Sequence, residues 1–459
     1  MPKQNSQNGM KSSLLTEGIT QITVGGYKSI AQEQSIEIRP LTILAGANSS
    51  GKSSIMQPLL LLKQTLEAPY DPGALLLNGP DVKITSTHQM FSKIPAVSGE
   101  NVFTVGVQCN TDRAGAYPLG CNMTFMQSQV SGIKLQRIDY LLGNSEVSIY
   151  ENMSQDEIKF MLSKNLPGAV FSGDLSVTAN RCFLDVTSYH EPDERKNSEI
   201  REGIKSGIEV PHTTTWSPYG IIREKISAII HVPGLRGNPE RSYPVTAVGK
   251  RFPGPFESYV ASIIGSWQSG EENEKLADLQ RSANHLGLTN SVAVHPINDA
   301  QVELLVGRTQ KSGKDDTVSI ADVGFGVSQT LPVLVALLVA EPGQLVYIEQ
   351  PEIHLHPRAQ TAMAQVLADA ALRGVKVVIE THSSLLLLSI QALVAEGKLP
   401  PELVKLHWFI RGEEGETTIR SADLDEEGAF GDWPEDFDDV TLDAQSRYLD
   451  AAEQRGAMK

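Results

Sequence analysis

Residues 41–54 read L-T-I-L-A-G-A-N-S-S-G-K-S-S, and this stretch decides how the rest of the sequence is interpreted. The apolar run at 41–44 is typical of a buried strand, and the apolar run at 55–62 is typical of a helix. Between them, residues 46–53 match G-x-x-x-x-G-K-[ST], the phosphate-binding loop. An ordinary Gly/Ser turn would explain the glycines but not the strand and helix patterns that flank them, so a phosphate loop is predicted.

The residue types of this loop predict its chemistry. Gly46 and Gly51 allow backbone conformations that bring N–H groups around a phosphate chain, and the start of the following helix adds partial positive charge. Lys52 is expected to reach the β- and γ-phosphates, and the Ser53 hydroxyl is expected to ligate Mg²⁺. ATP and Mg²⁺ are therefore the predicted ligands.

Length and composition limit the class of protein. A chain of 459 residues is too long for one compact core, so two or more lobes are expected. The three cysteines are far apart and show no metal-ligand spacing, which favours a reduced, cytoplasmic protein. Residues 1–18 lack the apolar centre of a signal peptide, and the longest uncharged apolar run, 331–340, is too short to span a bilayer.

The negative charge is concentrated near the end of the sequence. Residues 413–443 contain 13 acidic residues and one basic residue, which is −12 of the total −16 and leaves −4 elsewhere. The basic residues between Arg236 and Arg251 are the best local candidate for an anion or nucleic-acid contact, and a solvated loop explains them equally well. Charge alone therefore neither excludes nor supports a nucleic-acid partner.

Two further apolar runs, 344–348 and 375–379, end in polar residues, E-Q-P-E at 349–352 and E-T-H-S-S at 380–384. Ligands bind at the carboxyl ends of parallel strands, and a strand-end acid is where a second Mg²⁺ contact belongs in a phosphate-loop enzyme. Glu349 is therefore predicted to lie on the Mg²⁺ side. Gln89 is a further candidate Mg²⁺ ligand, whereas His354 and His356 are interpreted as structural rather than metal-binding.

Residues 322–329, D-V-G-F-G-V-S-Q, precede an apolar stretch that predicts a helix at 330–340. Glycines and a serine ahead of a helix form an anion-binding terminus, although alone they would indicate an ordinary loop. Combined with the phosphate loop and the E-x-P-E strand end, this glycine loop (322–329) is interpreted as functional.

These motifs together resemble the ATP-binding-cassette heads of the RecF, SMC and OLD-like ATPases. The resemblance is carried by G-A-N-S-S-G-K-S-S (46–54), V-G-F-G-V-S-Q (323–329), I-E-Q-P-E-I-H-L-H-P (348–357) and I-E-T-H-S-S (379–384), with H-V-P-G-L-R-G-N-P-E-R (231–241) and 424–437 similar to one subgroup. It implies an α/β fold, an ABC-type phosphate-loop head with a mixed sheet and a helical lobe, and a large insert between the phosphate loop and the glycine loop. The predicted segments are a flexible tail (1–18), an N-terminal ATPase lobe (19–100), an insert that no motif covers (101–215), a helical lobe (216–310) and a C-terminal ATPase lobe (311–459).

In that family two heads bind ATP between them, which implies a role for each matched residue. The implied nucleotide-binding residues are Gly46, Asn48, Ser49, Gly51, Lys52, Ser53 and Ser54 of one copy and Gly324, Gly326 and Ser328 of the other. The implied Mg²⁺ ligands are Ser53, Gln89 and Glu349, and the implied catalytic residues are Glu349, Gln350, Glu352 and the switch histidine His382. The partner is therefore a second copy of the chain, in a head-to-head dimer or higher oligomer.

One residue departs from the family pattern. The residue after the strand acid is usually a glutamate that polarises the attacking water, and here it is Gln350. An amide can orient water but cannot act as a base, so slow hydrolysis and a persistent ATP-bound state are predicted. Glu352 is close enough in sequence to substitute if its side chain faces the site.

The resemblance implies an ATP-dependent switch that controls a partner effector. The closest analogy is the ATPase subunit of Septu-type anti-phage systems, which is paired with an HNH-type nuclease. Two alternatives stay open: a DNA-repair or chromosome-maintenance ATPase that binds DNA itself, and an ATP-dependent scaffold that scarcely hydrolyses. A transporter ATPase is disfavoured because the sequence predicts no membrane segment and no intact five-residue family motif.

Overall fold

The computed structural model describes residues 17–94, 101–110, 119–128, 132–143, 145–165, 173–190, 212–270, 272–308 and 316–431. Contacts divide the chain into two compact units. The first unit comprises Ile36–Lys52 and the described residues from Ile230 onward, and the second comprises Thr16–Ser35 and Ser53–Ile229. The division falls inside the predicted phosphate loop, directly after Lys52.

The described strands are β1 (Gly18–Gly25), β2 (Gln34–Glu37), β3 (Leu41–Gly46), β4 (Val102–Asn110), β5 (Leu119–Ser128), β6 (Gly132–Leu142), β7 (Ser145–Tyr150), β8 (Asp174–Asn180), β9 (Phe183–His190), β10 (His212–Trp216), β11 (Ile230–Val232), β12 (Tyr243–Pro244), β13 (Val292–Asn298), β14 (Gln301–Gly307), β15 (Thr317–Ser319), β16 (Leu345–Glu349), β17 (Lys376–Thr381), β18 (Val404–Arg411) and β19 (Thr417–Ala422). The described helices are α1 (Lys52–Glu67), α2 (Gln155–Asn165), α3 (Gly220–Ser227), α4 (Glu257–Ser269), α5 (Asn273–His285), α6 (Phe325–Val339), α7 (Pro357–Leu372) and α8 (Ser384–Ala395). Short 3-10 helices lie at Thr87–Gln89, Ile320–Asp322 and Pro401–Leu403.

The first unit is built on a six-stranded sheet in the order β11-β16-β17-β3-β18-β19. Its first five strands are parallel and β19 pairs antiparallel at the edge. All six residues of β3 and all six of β17 are buried, which explains why these strands are continuous apolar runs rather than alternating ones. Side chains from α4 to α8 and from a smaller sheet, β12-β14-β13 with β15 on β14, complete one hydrophobic core. The predicted α/β class is confirmed.

The second unit carries mainly antiparallel sheet, in the orders β2-β1-β4-β5-β6-β7 and β10-β9-β8. It contains the three cysteines, which are free and buried. Burial raises the pKa of Cys109 to about 11 and that of Cys182 to about 12, so both thiols stay protonated and weakly nucleophilic at neutral pH. Throughout the described ranges, every helix is too short or too polar to cross a membrane.

Two sequence-based boundaries are wrong. The apolar spacing of residues 216–232 predicts a helix, but the structure has the short helix α3 followed by β11, because the apolar run at the end of this stretch pairs with β16. Helix α6 begins at Phe325 rather than at residue 330, since Gly326 and Ser328 adopt helical geometry in its first turn. The domain limits at 100, 215 and 310 stay predictions, although residues 216–310 hold the β13–β14 hairpin as well as helices.

Candidate functional site

The register of the parallel strands brings the predicted strand ends to one edge of the first unit. Glu349 of β16 lies opposite Glu380 of β17, and Thr381 of β17 lies opposite Ala45 of β3. Since β3 leads directly into the phosphate loop, residues that follow β16 and β17 emerge beside that loop. The arrangement is the one expected for ligand binding at the carboxyl edge of an α/β sheet.

The loop backbone has the geometry that its glycines predicted. Gly46 has φ +141° and Gly51 has φ +99°, and a Cβ on Gly46 would lie 2.4 Å from the carbonyl oxygen of Phe409. Ser49 also lies in the left-handed region, with φ +60°. The Nη1 of Arg411 donates to the Ser49 carbonyl at 3.1 Å, which helps to hold this turn.

Lys52 is only 5% exposed although it carries a charge. Its Nζ donates to the carbonyl oxygens of Gly46 at 3.0 Å and of Ala47 at 2.9 Å. Burial lowers the pKa of Lys52, and the charges of Glu380 and Glu352 oppose that shift. The ammonium group is thus held inside the loop by carbonyls that phosphate oxygens can replace.

The loop fits a phosphate chain by other criteria as well. The Ser50 hydroxyl is buried and has no hydrogen-bond partner in the described structure. Ser53 and Ser54 continue directly from the loop into the first turn of α1, whose N-terminus favours anions. A bound phosphate would supply an acceptor for the Ser50 hydroxyl.

Glu349 is fixed at the end of β16 by two donors. The Nε2 of His231 lies 3.2 Å from its Oε1, and the N–H of Gly234 donates to its Oε2 at 3.0 Å. Burial alone raises the pKa of Glu349, but the bonds from His231 and Gly234 outweigh it and hold the pKa below its usual value. The side chain is therefore ionised at neutral pH, as an oxygen ligand for Mg²⁺ must be.

Glu352 lies at the same edge of the sheet, and its substitution for Gln350 stays a prediction. It is 8% exposed, and its Oε1 accepts from the Thr381 hydroxyl at 2.8 Å and from the His382 N–H at 2.9 Å. Its Oε2 is buried without a hydrogen-bond partner in the described structure. Burial is the largest effect on this carboxyl and raises its pKa above the usual value.

Gln350 and His382 complete the group. Gln350 has φ +47°, and its N–H donates to the Glu380 carbonyl at 2.8 Å, which turns the chain sharply at the end of β16. Burial first, and then the charge of Lys52, lower the pKa of His382, while a bond to the Gly46 backbone acts in the opposite direction. His382 is therefore a neutral hydrogen-bonding group near Gly46 and Lys52 at neutral pH.

The structure does not settle the roles of the other predicted site residues. Gln89 lies in the second unit, where it is exposed and its amide bonds to Thr85, so its role as a Mg²⁺ ligand stays a prediction. Gly324 caps α6 and is exposed, whereas Ser328 is 7% exposed and donates to the Phe325 carbonyl at 3.3 Å. The contact of Gly324, Gly326 and Ser328 with a second copy also stays a prediction.

The two histidines after β16, His354 and His356, contact neighbouring groups of the fold. The Nδ1 of His356 accepts from the Arg358 N–H at 3.3 Å and so caps α7, and the ring of His354 lies 5.6 Å from that of Phe325. Within the described ranges, no group of three or more His, Cys, Asp or Glu side chains is arranged to hold a metal ion.

The sequence analysis gave the segment from His231 to Gly237 no role beside Glu349. Arg236, taken as a candidate anion contact, is 8% exposed and donates to the carbonyls of Gln329 and Glu349, both at 3.0 Å. Burial lowers its pKa to about 10. The signal that could have found this segment is β11 itself, a strand that the predicted helix over 216–232 concealed.

The chain is similar in sequence to known proteins. Residues 193–389 match the family model described as "AAA domain, putative AbiEii toxin, Type IV TA system", a range that includes Glu349, Glu352 and His382 but not the phosphate loop. The chain is also 19% identical over 388 residues to the Old nuclease of Escherichia phage P2, a match that covers 81% of this chain and 58% of that relative.

Solved structures of SMC heads are also similar. The SMC head domain from Thermotoga maritima is 10% identical with a TM-score of 0.41, over 89% of this chain and 100% of that chain. The SMC head bound to the C-winged helix domain of ScpA is 13% identical with a TM-score of 0.47, over 89% and 98%. The match over residues 193–389 and the phosphate loop at residues 46–53 make the chain similar to ATPases of the AAA type. Its motifs and its similarity to the Old nuclease are consistent with the RecF, SMC and OLD-like group.

Proposed function

We propose that this protein is a cytoplasmic, slowly hydrolysing ATP switch that pairs with a second copy when ATP is bound and controls a partner nuclease in bacterial anti-phage defence. The observation that carries the proposal is the convergence of Lys52, Glu352 and His382 on the Gly46 turn. A buried cation, a buried carboxyl and a neutral imidazole around one glycine turn suit recognition of a terminal phosphate.

The roles of the residues follow from their bonds. Lys52 would exchange two carbonyl acceptors for phosphate oxygens, and the neutral imidazole of His382 would hydrogen-bond the same phosphate. Ser53 and Glu349 would hold Mg²⁺, which when bound neutralises charge on the triphosphate. Glu352 fixes the His382 backbone through its Oε1.

Slow turnover follows from the position after Glu349. Gln350 orients water but takes no proton, because an amide has no basic site of the required strength. Glu352, like Glu380, is an acidic group near Lys52, but its Oε1 already accepts from the Thr381 hydroxyl and the His382 N–H. ATP would therefore persist long enough to act as a signal.

Pairing through α6 is proposed because its first turn presents backbone to solvent. Gly324 is exposed and a side chain built on it would meet no atom within 4 Å, so a second copy can approach the N–H groups there. Helix N-termini attract phosphate. The γ-phosphate bound by one copy would then contact Gly324, Gly326 and Ser328 of the other.

A nuclease partner is proposed from the relative and from the site. The similar protein is named a nuclease, and the chain spans 58% of its length. No cluster of three or more candidate metal ligands is found in the residues that the structure describes. The proposal places the cleaving activity in a separate chain, such as an HNH-type nuclease.

The pairing is tested by sedimentation with ATP, with ADP and without nucleotide. Gly324→Asp should retain ATP binding but abolish ATP-dependent dimers, because it places a carboxylate where the γ-phosphate arrives. Gly220→Asp is the matched control, since Gly220 is equally exposed, also begins a helix and also has no atom within 4 Å of a built Cβ. ATP-independent or absent dimers of the parent protein would contradict the proposal.

The effector is tested by co-expression with the product of the neighbouring gene. The switch proposal expects a stable complex whose nuclease activity changes when ATP is added. When the complex carries Lys52→Ala, ATP should no longer change that activity. DNA cleavage by this chain alone, or strong stimulation of its ATPase by DNA at physiological salt, would instead support the alternative of a DNA-repair ATPase.

A further inference from the structure

The segment His231–Gly237, here called the clasp, surrounds the strand-end acid. Its His231 and Gly234 bind the two carboxylate oxygens of Glu349, and its Arg236 binds the Glu349 carbonyl. The parallel pairing of β11 with β16 puts Val232 opposite Ile348, so the clasp leaves the sheet directly beside Glu349. Every oxygen of Glu349 thus has a partner in this one segment.

The clasp also binds Gln329, close to the start of α6. The Nη1 of Arg236 donates to the Gln329 carbonyl at 3.0 Å, and the Gln329 amide donates back to the Gly237 carbonyl at 3.1 Å. Arg236 is 8% exposed and Gln329 is 3% exposed, so water cannot readily replace these bonds. One guanidinium group therefore joins the end of β16 to the start of α6.

We propose that Arg236 is a positioning residue that transmits nucleotide occupancy from Glu349 to the start of α6. This inference rests on the proposed function, in which α6 contacts the phosphate bound by a second copy. The guanidinium is planar and its donors have fixed directions, so a shift of the Glu349 carbonyl must move the Gln329 carbonyl or break a buried bond. Breaking such a bond in a dry site is costly, so concerted movement is favoured.

A purely structural role explains the geometry less well. The Nε of Arg236 is buried without a hydrogen-bond partner in the described structure. A buried, incompletely bonded cation stabilises a fold less than a well-packed apolar side chain of similar volume would. Its bonds to the backbone carbonyls of Glu349 and Gln329 suit a link between β16 and α6.

The test compares Arg236→Lys with Arg181→Lys. Lysine keeps the charge but has no fork that can bind two carbonyls in fixed directions. Arg181 is the matched control, because it too donates to several backbone carbonyls, those of Thr65, Leu66 and Ala68 in the second unit. Each protein is assayed for ATP affinity, ATP-dependent dimerisation, kcat and KM, and amide hydrogen exchange over residues 325–331 with and without ATP.

Arg236→Lys should bind ATP within about threefold of the parent, since the phosphate loop is intact, and its dimerisation and kcat should fall by about tenfold or more with KM unchanged. The ATP-dependent change in exchange at 325–331 should disappear. Arg181→Lys should keep the ATP-dependent dimerisation, the kcat and the ATP-dependent exchange change of the parent. Gln329→Met, which preserves the guanidinium and removes only the bond to Gly237, should lower dimerisation in the same direction by about threefold.

The outcomes separate this inference from the proposed function. If the parent protein shows neither ATP-dependent dimers nor an exchange change at 325–331, the proposed switch fails. If the parent shows both, and Arg236→Lys and Gln329→Met respond to ATP as the parent does, the switch stands and Arg236 is not the link. Should Arg236→Lys be too unstable to purify, Arg236→Gln is assayed in its place, and a normal ATP response of that variant overturns the inference.

Discussion

Helix α1 carries two buried lysines whose surroundings differ in kind. Lys63 is 1% exposed and forms ion pairs with Glu67 at 3.0 Å and with Asp81 at 3.2 Å. Lys52, at the start of the same helix, is 5% exposed and donates to two backbone carbonyls of the phosphate loop instead. One cation is bonded to carboxylates of its own chain, and the other is bonded to groups that an anion can displace.

The difference separates a structural charge from a functional one. A buried charge with opposite charges in contact is satisfied within the fold, and its removal mainly affects stability. A buried charge held by neutral carbonyls still attracts a ligand anion, and its removal mainly affects binding. The same distinction applies to the buried carboxyl of Glu352, whose Oε2 has no hydrogen-bond partner in the described structure.

The largest effect is expected for Lys63→Ala. It leaves Glu67 and Asp81 in a buried site without their cation, which should lower the free energy of unfolding by about 3–5 kcal/mol. Urea denaturation measures this, and ATP affinity of the folded fraction should be unchanged. The matched control, Lys63→Met with Glu67→Gln and Asp81→Asn, removes all three charges and should be far less destabilised. Equal destabilisation of the two variants would break the comparison.

Lys52→Ala should have the opposite profile. Its ATP affinity should fall by about a hundredfold, equivalent to about 2.7 kcal/mol, because the cation that meets the terminal phosphates is lost. Its free energy of unfolding should change by less than about 1 kcal/mol, since no carboxylate is bonded to it in the loop. Calorimetric titration with a non-hydrolysable ATP analogue measures the first quantity. Retained affinity would show that the buried lysine is structural after all.

The local elements of the site could be predicted from the sequence because their signals are local. The phosphate loop, β3 and the helix that follows it are contiguous, and Glu349 and His382 each stand directly after an apolar strand. Such patterns fix residue type, spacing and secondary structure within about a dozen positions. The α/β fold class was implied by the family resemblance that these motifs carry.

The groups that tune the site could not be predicted in this way. The direction of the Glu352 side chain depends on the left-handed turn at Gln350. A single sequence does not predict a positive φ at a glutamine. The clasp depends on β11, which is only three residues long and pairs with a strand more than a hundred residues later. Contacts of that range are set by tertiary packing rather than by local propensity.

A smaller effect is expected for Gln350→Glu. The new carboxylate follows Glu349 at the position where the related ATPases have a glutamate, so turnover should rise by about tenfold with little change in ATP affinity. Single-turnover hydrolysis of labelled ATP measures the rate, and Gln350→Met should instead lower it. If the parent already hydrolyses as fast as Gln350→Glu, the assignment of slow turnover to this glutamine is wrong.

Glu352→Gln should have the smallest effect on stability. It also gives the sharpest test of the distinction between Lys52 and Lys63. Burial raises the pKa of Glu352 in the folded protein above its unfolded value of about 4.3. The folded state therefore favours the protonated carboxyl, and the stability that it contributes is present below about pH 4 and is lost as pH rises through the raised pKa. At a pH above this raised pKa, the parent protein carries a buried carboxylate charge that a neutral amide does not have.

Glu352→Gln should thus be more stable than the parent by about 1 kcal/mol at about pH 7.5, and the difference should vanish near pH 4. Its turnover should nevertheless fall, because the amide is a weaker acceptor for the Thr381 hydroxyl and the His382 N–H that Glu352 now holds. Thermal unfolding at several pH values and single-turnover assays measure the two quantities. If the variant is less stable at every pH, Glu352 is a structural charge like Lys63, whose partners lie within the fold. Higher stability together with lower activity would place it with Lys52, as a buried charge that the protein keeps at a cost for its ligand.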